Sequence, residues 1–370
     1  MGKGKVVRLI LLVLVIVICG LCFYFNFKTE EKGLEVTKWD NVYKGNKISL
    51  SYEDSQNISN DSNLLKLDST YKIREMTKEC KTQTDVANKC VDILNAIVEH
   101  DDVADSSLKD GYSILKEMGK RKKVSSRDMA IISRDILITA GVDARIGEFR
   151  KSDPKKESKS SYYVVEYYST EYDKWVVLDF LDKGIYIYNK VPLSGVELVK
   201  NDKSNITYKG NTDSKKHIKD EKEYFSSYTI PIDNTLSMKK SNMYLTYYTD
   251  ENDISLIKGG AYISPTIYTK TEELFTKSPS DDGSSMKDDE KAYLVLLAKK
   301  DKKTSNVTFV VSAVKNEKLL SNYSLKINNK DMEKVEGSYK EISLQEGTNT
   351  IKLSEDGSKI DSSIVIEKKE

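Results

Sequence analysis

Two stretches decide the fold: Val124–Arg145, VSSRDMAIISRDILITAGVDAR, and Ser161–Phe180, SYYVVEYYSTEYDKWVVLDF. In the first, Met129, Ile132, Ile136, Leu137 and Ala140 place apolar groups on several sides of one helix, Ser125 to Ala140, and such a helix is buried. Ser125 or Ser126 suits its N-cap, where a hydroxyl accepts from a free backbone N–H. Asp128 complements the positive end of the helix dipole, and Gly141 fits the C-terminal stop. Strands are expected at Ala144–Arg150, Tyr162–Ser169, Lys174–Phe180 and Gly184–Tyr188, where aromatic and β-branched residues suit a pleated, half-buried surface. The polar run Ser152–Ser160 reads as the connection within this set. The expected class is α+β: helices packed on an antiparallel sheet.

Outward from this core, Thr84 is read as the cap of a helix running to about Glu99, with Val86, Cys90, Leu94, Ile97 and Val98 on one face. Ser107–Met118 reads as a second helix, followed by the basic turn Gly119–Lys123. Residues 28–69 are polar with little periodicity and read as a stalk, apart from a strand at Lys47–Tyr52. Residues 202–223 read as a linker. The tyrosine-rich runs of 224–284 read as a β-rich extension. From 285 to 370, short strands at regular turn spacing read as an Ig-like β-sandwich.

The chain has 370 residues, 32% of them charged, with a net charge of +1. That size allows two or three domains. The balanced charge gives no global field for nucleic acid. Lys3, Lys5 and Arg8 precede an apolar run, Leu9–Phe25, close to the minimum of about 17 residues for a membrane span. The basic flank orients the N-terminus inward. ICGLCFYF offers little as a cleavage site, so a retained, single-pass signal anchor (residues 1–27) is expected, with the later domains extracytoplasmic. Cys19 and Cys22 fall in that run. Cys80 and Cys90 leave either a disulfide or two free thiols open. No Cys/His spacing suggests zinc, and no metal or cofactor is expected.

The two opening stretches, with LKDGYSILKEMGKRKKVSSRDMAI before the helix and IYIYNKVPLSGVELVKN after Asp179, resemble the transglutaminase-like superfamily, in the form found in secreted Firmicute bacteria. The resemblance covers about Asp85–Asn201 and gives the boundaries 70–201 for that domain. It implies a papain-like Cys-His-Asp site: Cys opening the helix, His opening the second strand, Asp closing the third. Those positions hold Ser126, Tyr162 and Asp179, and only the Asp matches; Ser160 and Ser161 are alternative occupants of the His position. A thiolate at a helix N-terminus and an imidazole base are what such chemistry needs. A phenol with an ordinary pKa near 10 does not replace the imidazole. The two histidines, His100 and His217, are not aligned with the lost base. Trp175 matches the family's strand tryptophan.

Three functional expectations follow. The first is a membrane-anchored pseudoenzyme whose degenerate groove binds a peptide, a cell-wall component or an envelope protein. The second is a weak acyl transferase or amidase using Ser126 with an unusual base; Glu166, expected on the same strand face as Tyr162, is read as a structural carboxylate. The third is a purely structural envelope scaffold.

Overall fold

The computed structural model describes residues 33–119, 122–151, 161–250, 254, 256–258, 261–262, 264–281, 286–300 and 307–369. The anchor run Leu9–Phe25 and the connection Ser152–Ser160 lie outside these. Among the described residues, no helix is long and apolar enough to cross a membrane.

Five helices form one layer: α1 (Ser62–Tyr71), α2 (Ile73–Thr77), α3 (Gln83–Ile97), α4 (Gly111–Met118) and α5 (Ser126–Thr139). Two more, α6 (Gly195–Lys200) and α7 (Ser214–Glu221), follow later. The strands begin with β1 (Gly33–Asp40) and β2 (Ser51–Tyr52). Next come β3 (Ala144–Arg150), β4 (Ser161–Ser169), β5 (Lys174–Asp179), β6 (Gly184–Tyr188) and β7 (Thr207–Lys209). Then follow β8 (Ser227–Pro231), β9 (Tyr244–Tyr248) and β10 (Thr266–Thr269). The central sheet runs β7-β6-β5-β4-β3-β8-β9-β10, antiparallel except for the last pair. The segments of the expected β-rich extension therefore continue the same sheet.

α5 is buried from Asp128 to Thr139, as its apolar residues on several sides require. It ends on a left-handed glycine, Gly141 (φ 86°). The Gly141 N–H reaches the Ile138 carbonyl and the Val142 N–H the Leu137 carbonyl, the paired bonds that satisfy a helix end. Alternation along the strands then divides two cores. Val165, Tyr167, Val176, Leu178 and Phe180 pack with α5 on one face. Tyr162, Val164 and Val177 pack on the other, with Val196, Leu198 and Val199 of α6 and with Tyr186 and Tyr208.

The C-terminal strands are β11 (Tyr293–Lys300), β12 (Val307–Lys315), β13 (Asn322–Ile327), β14 (Glu333–Glu336), β15 (Lys340–Ser343), β16 (Gly347–Ser354) and β17 (Ser362–Lys369). One sheet joins β11 and β15 to β12; the other runs β1-β17-β16-β13-β14. Both contribute to a single apolar core, so the segment is a two-sheet sandwich.

Several local readings need correction. The stretch read as a stalk is folded: β1 pairs with β17, Asn41 exchanges hydrogen bonds with the Leu294 backbone, and β2 pairs with Asp233–Asn234. The stretch read as a linker forms β7 and α7. The cap of α3 is Thr82, not Thr84; Thr84 instead bonds the Glu171 carboxylate and the Tyr167 hydroxyl. The helix expected at Ser107–Met118 starts only at Gly111, capped by Asp110. Cys80 and Cys90 are both free.

Candidate functional site

Ser125 is the N-cap of α5, its hydroxyl accepting the Asp128 N–H at 3.1 Å. Ser126 is the first helical residue and is half-buried. We expect Ser125→Ala to cost about 1 kcal/mol, the worth of a capping serine, and Ser126→Ala less than about 0.5 kcal/mol. Urea unfolding of the two variants checks this, and equal losses would contradict it.

The structure joins two of the three positions that the sequence resemblance singles out and sets the third apart. The Tyr162 hydroxyl donates to Asp179 Oδ2 at 2.6 Å. Both side chains lie on the sheet face opposite α5, whereas the apolar residues of α5 pack on its own face. Of the alternative occupants, Ser161 donates to Glu148, and Ser160 lies outside the described residues. Glu166 shares the Tyr162 face, as alternation requires, but is fully buried and bound to Arg145 at 2.6 Å.

Around Asp179 the structure builds a cluster that the sequence did not disclose. The Tyr208 hydroxyl donates to the same Oδ2 at 2.9 Å, while the Leu181 and Asp182 N–H groups donate to Oδ1. His217, from α7, is buried and stacks on the Tyr208 ring at 3.6 Å. Its Nε2 lies 2.9 Å from the Tyr186 hydroxyl and 3.4 Å from Asp179. An imidazole thus lies beside Asp179 and three phenols, supplied by α7 and not by the strand position that the sequence resemblance implies. Tyr208 fits because glycines flank its ring: a Cβ on Gly184 or on Gly210 would collide with it.

Burial pushes the Tyr162 and Tyr186 phenols well above their usual range, and the Asp179 charge adds to it. Burial also lowers the His217 pKa, against the pull of Asp179, Asp182 and Asp220. A neutral ring accepting at Nε2 from Tyr186 suits that environment. Glu221, at the end of α7, is pushed up to about 7 by burial, then by Asp179 and Asp220, with Lys151 opposing.

These two groups work in opposite directions with pH. His217 binds its proton less readily folded than unfolded, so its contribution is lost as pH falls below about 6.5. Glu221 holds its proton more tightly when folded, so its contribution is lost as pH rises toward 7. Glu221→Gln should therefore raise the melting temperature at pH 8 by a few degrees, on the order of 1 kcal/mol, and leave it nearly unchanged at pH 4.5. Thermal scans at the two pH values check the sign.

Asp179, Asp182 and His217 bring potential metal-ligand atoms within 4.8 Å of one another. The oxygens are already committed: Asp179 to two phenols and two N–H groups, Asp182 to the Thr212 N–H and hydroxyl. A cation would have to break these bonds, so the donor set does not fit one.

No protein-family model matches the chain, and no curated protein matches it. A crystal structure of a proposed protease from Parabacteroides distasonis is similar over 46% of this chain and 30% of that one, with 10% identity and a TM-score of 0.24. The match spans less than a third of that neighbour's length, and a likeness this slight assigns neither family nor activity.

On the α5 side, a small groove of about 90 Å³ opens to solvent. Arg127, Ile131 and Arg134 form its helix wall; Ile146, Glu148, Tyr163 and Thr229 form the sheet floor. Lys109, Met238 and Tyr244 contribute the rest of its border.

Proposed function

We propose that this chain is a membrane-anchored, extracytoplasmic binding protein on a degenerate transglutaminase-like scaffold. It would hold an extended peptide, or a peptide-bearing partner in the envelope, in the groove beside α5. The observation that carries this reading is the splitting of the family's catalytic positions. Tyr162 and Asp179 are spent on each other across the sheet from α5, and His217 is stacked beneath Tyr208. Ser126 therefore keeps its place at the head of α5 with no imidazole beside it among the described residues. A serine hydroxyl without a base is a poor nucleophile. The small groove beside α5, lined by none of Ser126, Tyr162 and Asp179, offers aromatic and hydroxyl groups suited to contact rather than cleavage. The basic flank and apolar run at Leu9–Phe25 support the anchor, and the sandwich supports a spacer role for residues 285–370.

Amine incorporation and amide hydrolysis by the full chain, assayed beside Ser126→Ala, test the first half; both proteins should be equally inactive. Activity abolished by Ser126→Ala would replace this reading with a serine enzyme. Membrane fractionation of cells making the chain with and without residues 1–27 tests the anchor.

A further inference from the structure

We infer that the C-terminal sandwich is the module next to the membrane, one end of it resting on the phospholipid headgroups, with α5 and the central sheet held beyond it. The inference rests on the anchor reading above and names the surface that the anchored chain presents to the bilayer.

Chain length and strand pairing carry the argument. Between Phe27, where the expected anchor ends, and Gly33, where β1 begins, stand the five residues Lys28–Lys32. Fully extended, they reach at most about 20 Å. β1 is an edge strand of the sandwich, paired with β17 from Gly33↔Lys369 to Asp40↔Ser363. The Gly33 end of the sandwich is therefore tied close to the bilayer, although the other sandwich strands come last in the chain.

The strand registers say what else lies at that end. β16 starts there, Gly347 facing Lys368, and the Lys368 ammonium donates to the Leu344 carbonyl at 3.4 Å. β13 runs toward the same end, from Ser324↔Ser354 to Ile327↔Ile351, so the turn Asn328–Met332 projects there. In the other sheet Ser343 of β15 faces Thr308, and Thr308 faces Lys299. Lys299, Lys330 and Lys369 are exposed. Lys299 and Lys369 hold Glu341 and Glu35 in exposed pairs, which headgroup phosphates can exchange with at little cost. Lysine stems of this kind suit an anionic surface. Asp331 and Glu346 are exposed beside them, so the tether, more than net charge, places this end.

The opposite end of the sandwich meets the rest of the molecule. β1 leads through Asn41, bonded to the Leu294 backbone, to Tyr43, whose N–H bonds the Tyr268 carbonyl of edge strand β10 at 2.9 Å. Trp39 packs edge-on against Tyr268 at 5.2 Å. Glu317, in the turn after β12, accepts from Lys240 at 3.4 Å. From Gly33 to Asp40 the strand spans about 23 Å, at about 3.3 Å per residue. That length separates the membrane end from the junction with the central sheet.

The test uses the full chain in vesicles of phosphatidylethanolamine and phosphatidylglycerol, a small share of the former carrying a photoactivated diazirine on its headgroup. Floated vesicles are illuminated, the chain is digested, and lipid-bearing peptides are counted by mass spectrometry. Each count is normalised to labelling by the same diazirine free in solution. Beyond residue 32, adducts should form at Lys299, at Asn328–Met332 and at Lys368–Lys369, and be lost at the exposed turn Thr170–Asp173 between β4 and β5. Inserting about twenty Gly and Ser residues between Lys32 and Gly33, a coil that adds about 25 Å, should remove most of the sandwich adducts and leave flotation unchanged. A chain that floats with no adduct beyond residue 32 overturns the inference and leaves the anchor reading standing. Adducts at Thr170–Asp173 equal to those on the sandwich do the same. Sandwich adducts undiminished by the insertion overturn the placement by chain length. A chain that does not float overturns the anchor reading and the inference with it.

Discussion

Glu166→Ala should cost about 3–5 kcal/mol of unfolding free energy, the usual consequence of stranding one member of a buried ion pair. Arg145 and Glu166 are both fully buried. The guanidinium binds Glu166 Oε2 at 2.6 Å through Nε, the Tyr52 hydroxyl at 3.1 Å and the Phe275 carbonyl at 2.7 Å. It also lies 4.0 Å from the Trp175 ring centroid. Glu166 Oε1 accepts the Gly195 N–H that opens α6, at 2.7 Å. One ion pair thus ties β3 and β4 to β2, to the start of α6 and to the short helix Glu273–Thr276. Without the carboxylate, a positive charge remains in an apolar interior, and the Gly195 N–H loses its acceptor. A marginally stable protein has about 5–15 kcal/mol in total, so the variant should unfold at much lower urea. The double change Arg145→Met, Glu166→Met removes both charges and should recover a large part of the loss. A Glu166→Ala loss below about 1 kcal/mol would show that water reaches the guanidinium and that the pair is not a structural centre.

How much of this was legible follows from what each segment repeats. α5 declared itself through apolar residues on several sides, a capping serine and a terminal glycine. β3 and β6 match their expected spans, and β4 and β5 differ by one residue. The groove's helix wall belongs to the same legible stretch. β1 hid because its alternation is interrupted. Leu34 and Val36 pack on the sandwich core, but the register shifts between Val36 and Lys38, and the next core residue is Trp39. A bulge of this kind breaks the period by which a strand is recognised. β7 and α7 hid for a different reason. β7 has three residues and α7 is largely lysine, aspartate and glutamate, so neither offers an apolar period. Tyr208 and His217 stack on each other and both reach Asp179, a partner well back in the chain. Asp213 capping the following turns was the local signal available for α7. Nothing in the sequence pointed it at Asp179.

Asp179→Ala should destabilise the fold by about 3 kcal/mol or more, because two buried phenols and two part-buried N–H groups lose one acceptor group and each buried orphan costs about 1–3 kcal/mol before relaxation. The donors are the Tyr162 and Tyr208 hydroxyls and the Leu181 and Asp182 N–H groups. Asp179→Asn keeps one oxygen for the backbone pair and an amide near the phenols, which can turn to accept from it. Its cost should be nearer 1 kcal/mol. The Asn variant separates charge from shape. Asp179 raises the His217 pKa and also raises that of Glu221. Removing its charge should move both downward, a joint shift that a change in burial alone would not give, since burial lowers one and raises the other. Titrating the two by NMR in wild type and Asp179→Asn reads this directly. If His217 stays put while Glu221 falls, the imidazole is not coupled to Asp179 at 3.4 Å, and the cluster is held by Tyr208 stacking instead. A joint fall, with stability nearly preserved and no amide hydrolysis in either protein, makes the aspartate an acceptor at the centre of a tyrosine cage. Four donors on three segments then depend on this one carboxylate to fold.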